Sequence, residues 1–194
     1  MSTLRTTNIT HESNSGTNNL ILDDTGKVTV AEKKLHCPGT IIQVASTTKS
    51  DSNAEVDCAD DAWLTVSGLT VSMAATAASN KILITGFLSV SMSSDERLFY
   101  RLTAGGSAIG VGDAAGNRAR ASGVILGNTY MPQSIPINYL YTPGNTNSIT
   151  YGVDMSQGAG GTTGIAVNVQ RTSDSDAYDR CRLTSVLTLM EVVA

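Results

Sequence analysis

The chain has 194 residues, 41% hydrophobic, 15% charged and 5% aromatic, with a formal net charge of -4. It is too apolar for a disordered chain, and its charge lies below the roughly one quarter usual in soluble domains, with Ser, Thr, Asn and Gly supplying surface polarity instead. The acidic balance excludes the basic footprint of a nucleic-acid-binding domain, and no apolar run is long enough to cross a bilayer as a helix.

Residues 1–17, MSTLRTTNITHESNSGT, read as an extended polar arm in which Met1, Leu4 and Ile9 are the sizeable apolar residues. NNLILDDTGKVTV, residues 18–30, reads as a short hairpin: Leu20-Ile21-Leu22, a turn over Asp24-Thr25-Gly26-Lys27, then Val28-Thr29-Val30. An isolated two-stranded hairpin is marginal in water. Leu20, Leu22, Val28 and Val30 are therefore expected to be buried by an assembly, either by copies around an axis or by a neighbour's sheet edge. AEKKLHCPG, residues 31–39, is a connector whose AEKKL could make one helical turn before Pro38 stops it. The first thirty residues lack a basic start followed by an apolar core, so the expectation is a chain folded in the cytosol.

From Thr40 onward the pattern changes to strands at regular spacing. TIIQVAST (40–47) is the first. A polar loop with Asp51, Asp57, Asp60 and Asp61 leads to AWLTVSGLTVSM (62–73), broken at Gly68. KILITGFLSVSM (81–92) and ERLFYRLTAGG (96–106) follow. SAIGVGD, ARASGVIL, SIPINYLYT, SITYGVDM, TGIAVNVQR and RLTSVLTLMEVV complete the series, separated by turns rich in Gly, Asn, Asp and Pro. About ten short strands without an amphipathic helix predict an all-β, jelly-roll-like antiparallel sandwich over 38–194, with the arm, hairpin and connector in 1–37. In the last strand, Val186, Thr188, Met190 and Val192 alternate with Ser185, Leu187, Leu189 and Glu191. Both sets are largely apolar, which predicts a central strand covered on both faces.

Chemistry is sparse. Cys37, Cys58 and Cys181 form no CxxC pair, and adjacent His36 and Cys37 are badly spaced for a shared zinc, so ordinary thiols are expected. Asp57, Asp60 and Asp61, and Asp174, Asp176 and Asp179, could gather oxygen ligands for Ca²⁺, but neither cluster has the spacing of an EF-hand, and solvated loops are expected. Both histidines, His11 and His36, precede the sandwich, which disfavours a Ser-His-Asp or Cys-His nucleophile. The GAGG and TAGG runs lack the GxxxxGK[ST] of a phosphate loop. No catalytic residue, metal or cofactor is expected. Tyr130, Tyr139, Tyr141, Tyr151, Tyr178 and Trp63 could stack on sugar rings; Tyr130 and Tyr178 lie nearest loops and are the better receptor contacts. Arg97, Arg101, Arg118 and Arg120 are expected in ion pairs with Asp95, Glu96, Asp113 or a neighbouring subunit's acids, with contact to a negatively charged host polysaccharide as the other reading. Beyond Lys81 every Lys or Arg is Arg, which favours an interface in the C-terminal half.

The opening MSTLRTTNI…H followed by NLILDDTGKVTV is similar to the leader of tailed-phage fibre and virion structural proteins, especially those of marine cyanobacterial phages. CPGTIIQV, WLTVSGLTVSM…ASNKILITGFLSV, FYRLTAGG and the LTLMEV ending resemble the same group, so the likeness spreads over nearly the whole chain. The block from Trp63 to Val90 also resembles the trimeric jelly roll of complement and tumour-necrosis-factor type domains. The resemblance implies a non-enzymatic homotrimer, a short fibre or spike made in the host cytoplasm and located in the virion. Its arm would hold it to other virion proteins of the tail, portal region or capsid, and its loops would contact a host surface polysaccharide. The rival readings are a capsid decoration or cement protein and a lectin-like carbohydrate-binding module; neither nucleic acid nor membrane insertion is implied.

Overall fold

The computed structural model describes residues 8–9, 20–22, 28–30, 37–58, 62–127, 131–158, 163–170, 178 and 180–194. All the regular elements among them are strands. β1 (Asn8–Ile9), β2 (Leu20–Leu22) and β3 (Val28–Val30) make a small antiparallel sheet. Leu20 pairs with Val30 and Leu22 with Val28, the register expected for the hairpin, and Ile9 pairs with Leu20. The side chains of these strands lie outside the described residues, as does AEKKL.

Two six-stranded sheets follow. The front sheet contains β4 (Ile41–Lys49), β15 (Ser185–Val192), β8 (Lys81–Met92), β14 (Thr163–Val167) and β5 (Asn53–Cys58) in that order, with β12 (Gln133–Tyr141) along the other side of β8. The back sheet runs β10 (Ser107–Ile109), β9 (Arg97–Ala104), β13 (Ser148–Gln157) and β6 (Leu64–Thr65); β11 (Gly123–Leu126) pairs with β9 and β7 (Val71–Ala74) with β13. Every pairing is antiparallel. The molecule is thus the all-β sandwich that the strand spacing predicted.

Period-two alternation builds the core, because successive side chains of a strand point to opposite faces. Ile82, Ile84, Leu88, Ile135, Leu187 and Leu189 come from the front sheet; Leu98, Leu102, Tyr151, Val153 and Met155 from the back sheet, all buried in one cluster. Each fully buried Leu or Ile stabilises the fold by about 1.5–3 kcal/mol relative to exposure. Tyr151 packs edge-on against Tyr141 with centroids 5.9 Å apart. Burial, and then the neighbouring Tyr141, push the Tyr151 hydroxyl up to about 12. It is a core residue, not a sugar platform.

The sandwich closes on its own ends: Gly39 N–H donates to Val193 O at 2.8 Å and Val193 N–H to Thr40 O at 3.0 Å. Gly86 sits mid-strand in β8 at φ +152, and a Cβ there would lie 2.0 Å from Val186 O. Only glycine lets β15 approach this closely. Asn168, at φ 60 and fully buried, is a second fixed point. Its amide donates to the carbonyls of Lys49 and Asp51, and its side-chain oxygen accepts from Ser185 Oγ. This joins the β14 exit to β4 and to the start of β15.

Two sequence expectations are corrected. Residues 53–58, expected in a polar loop, form β5, a strand at the end of the front sheet paired with β14. Residues 118–121, expected in a strand, lie outside β11, which begins at Gly123.

Candidate interaction faces

The last strand shows how the front sheet divides. Its Ser185, Leu187, Leu189 and Glu191 are buried toward the core. Val186, Thr188, Met190 and Val192 point outward and are only half-buried. β15 is an interior strand, between β4 and β8, but among the described residues no other layer of the sandwich covers its second apolar set.

The inner face carries a charge, Glu191, with no exposure. Thr76 N–H at 2.6 Å, Thr76 Oγ at 2.7 Å and Asn80 Nδ2 at 2.7 Å donate to Oε1, and Gln43 Nε2 donates to Oε2. Burial pushes this carboxyl's pKa up, but the donors from Asn80, Thr76 and Gln43 prevail and hold it below its ordinary value. With its oxygens engaged and no solvent contact, Glu191 ties the 75–80 turn and β4 to the last strand; it has no edge to offer a substrate.

The outer face of the front sheet is different. Register places Val44, Met190, Leu83 and Leu140 side by side across β4, β15, β8 and β12. Ser46, Thr188, Thr85 and Asn138 form the next row, then Thr48, Val186, Phe87 and Pro136. Val44 is 59% exposed, Leu140 47% and Phe87 37%. The three rows carry no formal charge; Lys81 lies at their rim beside Val192. Sequence reasoning took these residues strand by strand and missed the rows, which exist only once the register is known.

The back sheet pairs two of its charges within the chain. Asp154 on β13 pairs across the ladder with Arg101 on β9. Arg101 donates to Asp154 Oδ2 from Nη2 at 2.9 Å and from Nε at 3.1 Å, Thr65 Oγ donates to Oδ1 at 2.8 Å, and the guanidinium lies 4.1 Å from the Trp63 ring centroid. The expected partners of Arg101 were Asp95, Glu96, Asp113 or a neighbouring subunit; its partner is Asp154, because a strand register brings together residues 53 positions apart. Trp63, stacked by Arg101, has one ring face already occupied. Arg120 Nε donates to Gly112 O rather than to an acid.

Among the other candidate residues, Tyr178 is fully exposed. Tyr130 lies outside the described residues, as do Asp60, Asp61, Asp174, Asp176 and Asp179. Cys37 and Cys181 are free and exposed. Among the described residues no cluster of His, Cys, Asp and Glu could hold a metal ion, and no helix is long and apolar enough to cross a membrane. A cleft of about 180 Å³ opens between Tyr100, Leu102, Gly110, Ser122, Ile137 and Tyr139. Its Ser122 hydroxyl accepts from Leu102 N–H and donates to Ile109 O, so its hydrogen-bonding is spent within the fold.

No protein-family model matches the chain, and no curated protein does. Among solved structures it is similar to that of the infectious bursal disease virus Gx strain: 14% identity, TM-score 0.36, over 88% of this chain and 41% of that one. It is also similar to the structure of the Gt strain of the same virus: 11% identity, TM-score 0.43, over 95% of this chain and 47% of that one. The chain spans less than half the length of either structure's chain.

Proposed function

We propose that this chain is a non-enzymatic structural protein of a virus particle, a homotrimeric short fibre or spike held to the particle by residues 1–37 and presenting the sandwich of 38–194. The observation that carries this reading is the division of strand pairing. β1, β2 and β3 pair only with one another among the described residues, while the sandwich closes on itself through Gly39, Thr40 and Val193. A three-stranded sheet of two- and three-residue strands has little apolar area of its own, so a docking partner would supply its burial, with Leu20, Leu22, Val28 and Val30 as the anchoring residues. The likeness of the leader and the head segments to phage virion proteins supports the same assignment. Function is then geometric: weak contacts by several heads multiply through avidity. Host contact, where it occurs, falls to exposed loop aromatics such as Tyr178, with Tyr130 as its companion.

The test compares the full chain with one beginning at Pro38. Expected is an unchanged β circular-dichroism spectrum for the shorter chain together with loss of attachment to particles. Retained attachment would move the anchor into the sandwich and favour a decoration protein that grips through its head. Glycan binding by the shorter chain, lost in Tyr178→Ala, would favour the lectin-like reading.

A further inference from the structure

We propose that the outer face of the front sheet is where copies of this chain meet, each turning this face toward the threefold axis of the homotrimer and packing it against its neighbours. This rests on the homo-oligomeric part of the reading above and adds the surface that makes it.

Three features of the face select its occupant. First, the three rows are uncharged, with Lys81 at their rim, in a chain that carries 13 basic and 17 acidic residues. A face of a single charge sign repels its own copy, and an uncharged one does not. A basic or acidic partner would find no complementary charge here.

Second, the rows are palindromic. An apolar row (Val44, Met190, Leu83, Leu140) and a second largely apolar row (Thr48, Val186, Phe87, Pro136) flank a row of hydroxyls and an amide (Ser46, Thr188, Thr85, Asn138). Rotating a copy about an axis parallel to the strands keeps each row at its own height, so apolar meets apolar and hydroxyl meets hydroxyl. Ser46 and Thr188 already share a 2.8 Å hydrogen bond, which leaves the Thr85 hydroxyl and the Asn138 amide to pair across the contact.

Third, the size fits. Four strands about 4.8 Å apart and roughly eight residues long at ~3.3 Å each give a flat projection on the order of 500 Å². That is comparable to the largest patches, about 300–600 Å², that monomers leave open and use, and its corrugated surface approaches the ~800 Å² each partner gives to a standard interface. The two apolar faces read in the last strand's sequence are then both covered, one by the chain's own back sheet and the other by its copies.

The experiment measures the mass of the full chain by light scattering beside two double variants. Val44→Glu with Leu140→Glu puts charges at two exposed positions of the face, where a monomer tolerates them; Val124→Glu with Leu126→Glu does the same on β11 of the back sheet, where Val124 is 55% and Leu126 65% exposed. Circular dichroism establishes that each variant is folded. Expected is a wild-type mass that is a multiple of 20.2 kDa, a fall to 20.2 kDa in the front-face variant, and no change in the back-sheet variant. A multimeric wild type whose mass survives Val44→Glu with Leu140→Glu overturns this face while leaving the oligomer intact. A wild type of 20.2 kDa at every concentration overturns the face and the oligomer together. A chain beginning at Pro38 that is monomeric beside a multimeric full chain overturns the face in favour of the hairpin.

Discussion

The outer faces of the two sheets solve opposite problems. The back sheet carries Arg101 and Asp154 and answers them within the chain, with two hydrogen bonds between them, a third from Thr65 and the Trp63 ring beneath the guanidinium. The three rows on the front sheet carry no charge, and their Met190, Leu83 and Val186 are half-buried beside the exposed Val44, Leu140 and Phe87. Where a sheet's polar groups are satisfied internally, the face can stay in water. Where apolar rows are open and uncharged, covering them stabilises the assembly by roughly 25 cal/mol per Å² of apolar surface.

The sharpest break to this comparison comes at Gly86, which holds β8 and β15 in register beneath the front face. Gly86→Ala places a Cβ against Val186 O and Leu187 Cα, backbone atoms that cannot step aside. Expected is a loss of at least about 4 kcal/mol, or no folded protein, measured by urea unfolding. Next is Glu191, on the underside of the same strand. Glu191→Ala strands Asn80, Thr76 and Gln43 donors in a buried site and should cost about 3 kcal/mol.

The pH dependence of this carboxylate has a definite sign. Its folded value lies below the ordinary 4.5, so its stabilisation is complete above that value and is lost as pH falls from there through the lower folded value. The melting midpoint of the wild type should drop across this acid window more steeply than that of Glu191→Gln. On the back sheet, Asp154→Ala leaves Arg101 stacked but unpaired. Arg101 retains 22% exposure, so the cost is smaller, about 2 kcal/mol. Smallest for the folded monomer is Val44→Glu with Leu140→Glu, within about 0.5 kcal/mol, because both sites face water in the single chain.

Much of the fold was legible in the sequence. KILITGFLSVSM was read as a strand over 81–92 and is β8; SIPINYLYT and LTSVLTLMEVV gave β12 and β15; Gly68, at φ +79, breaks 62–73 into β6 and β7. These segments carry strong period-two patterning or a backbone position that only glycine tolerates easily. β5 was missed because NAEVDC is an edge strand, with charges where a half-buried strand has apolar residues. The Arg101–Asp154 pair and the outer rows were illegible for a different reason. Both depend on which strands lie side by side and in what register, which no local pattern specifies. Glu191 was visible in the sequence as one polar position in an apolar set, but its donors come from residues 43, 76 and 80, far along the chain.

The most direct measurement follows Met190 itself, in the middle of the upper apolar row. Peroxide oxidation of the full-length protein, read peptide by peptide by mass spectrometry, compares Met190 with Met131, which is 64% exposed and serves as the internal reference. If copies meet on the front face, Met190 in the wild type is oxidised several-fold more slowly, relative to Met131, than in the Val44→Glu with Leu140→Glu variant. Equal relative rates in the two proteins would mean that the face stands open in solution, and would contradict the interface.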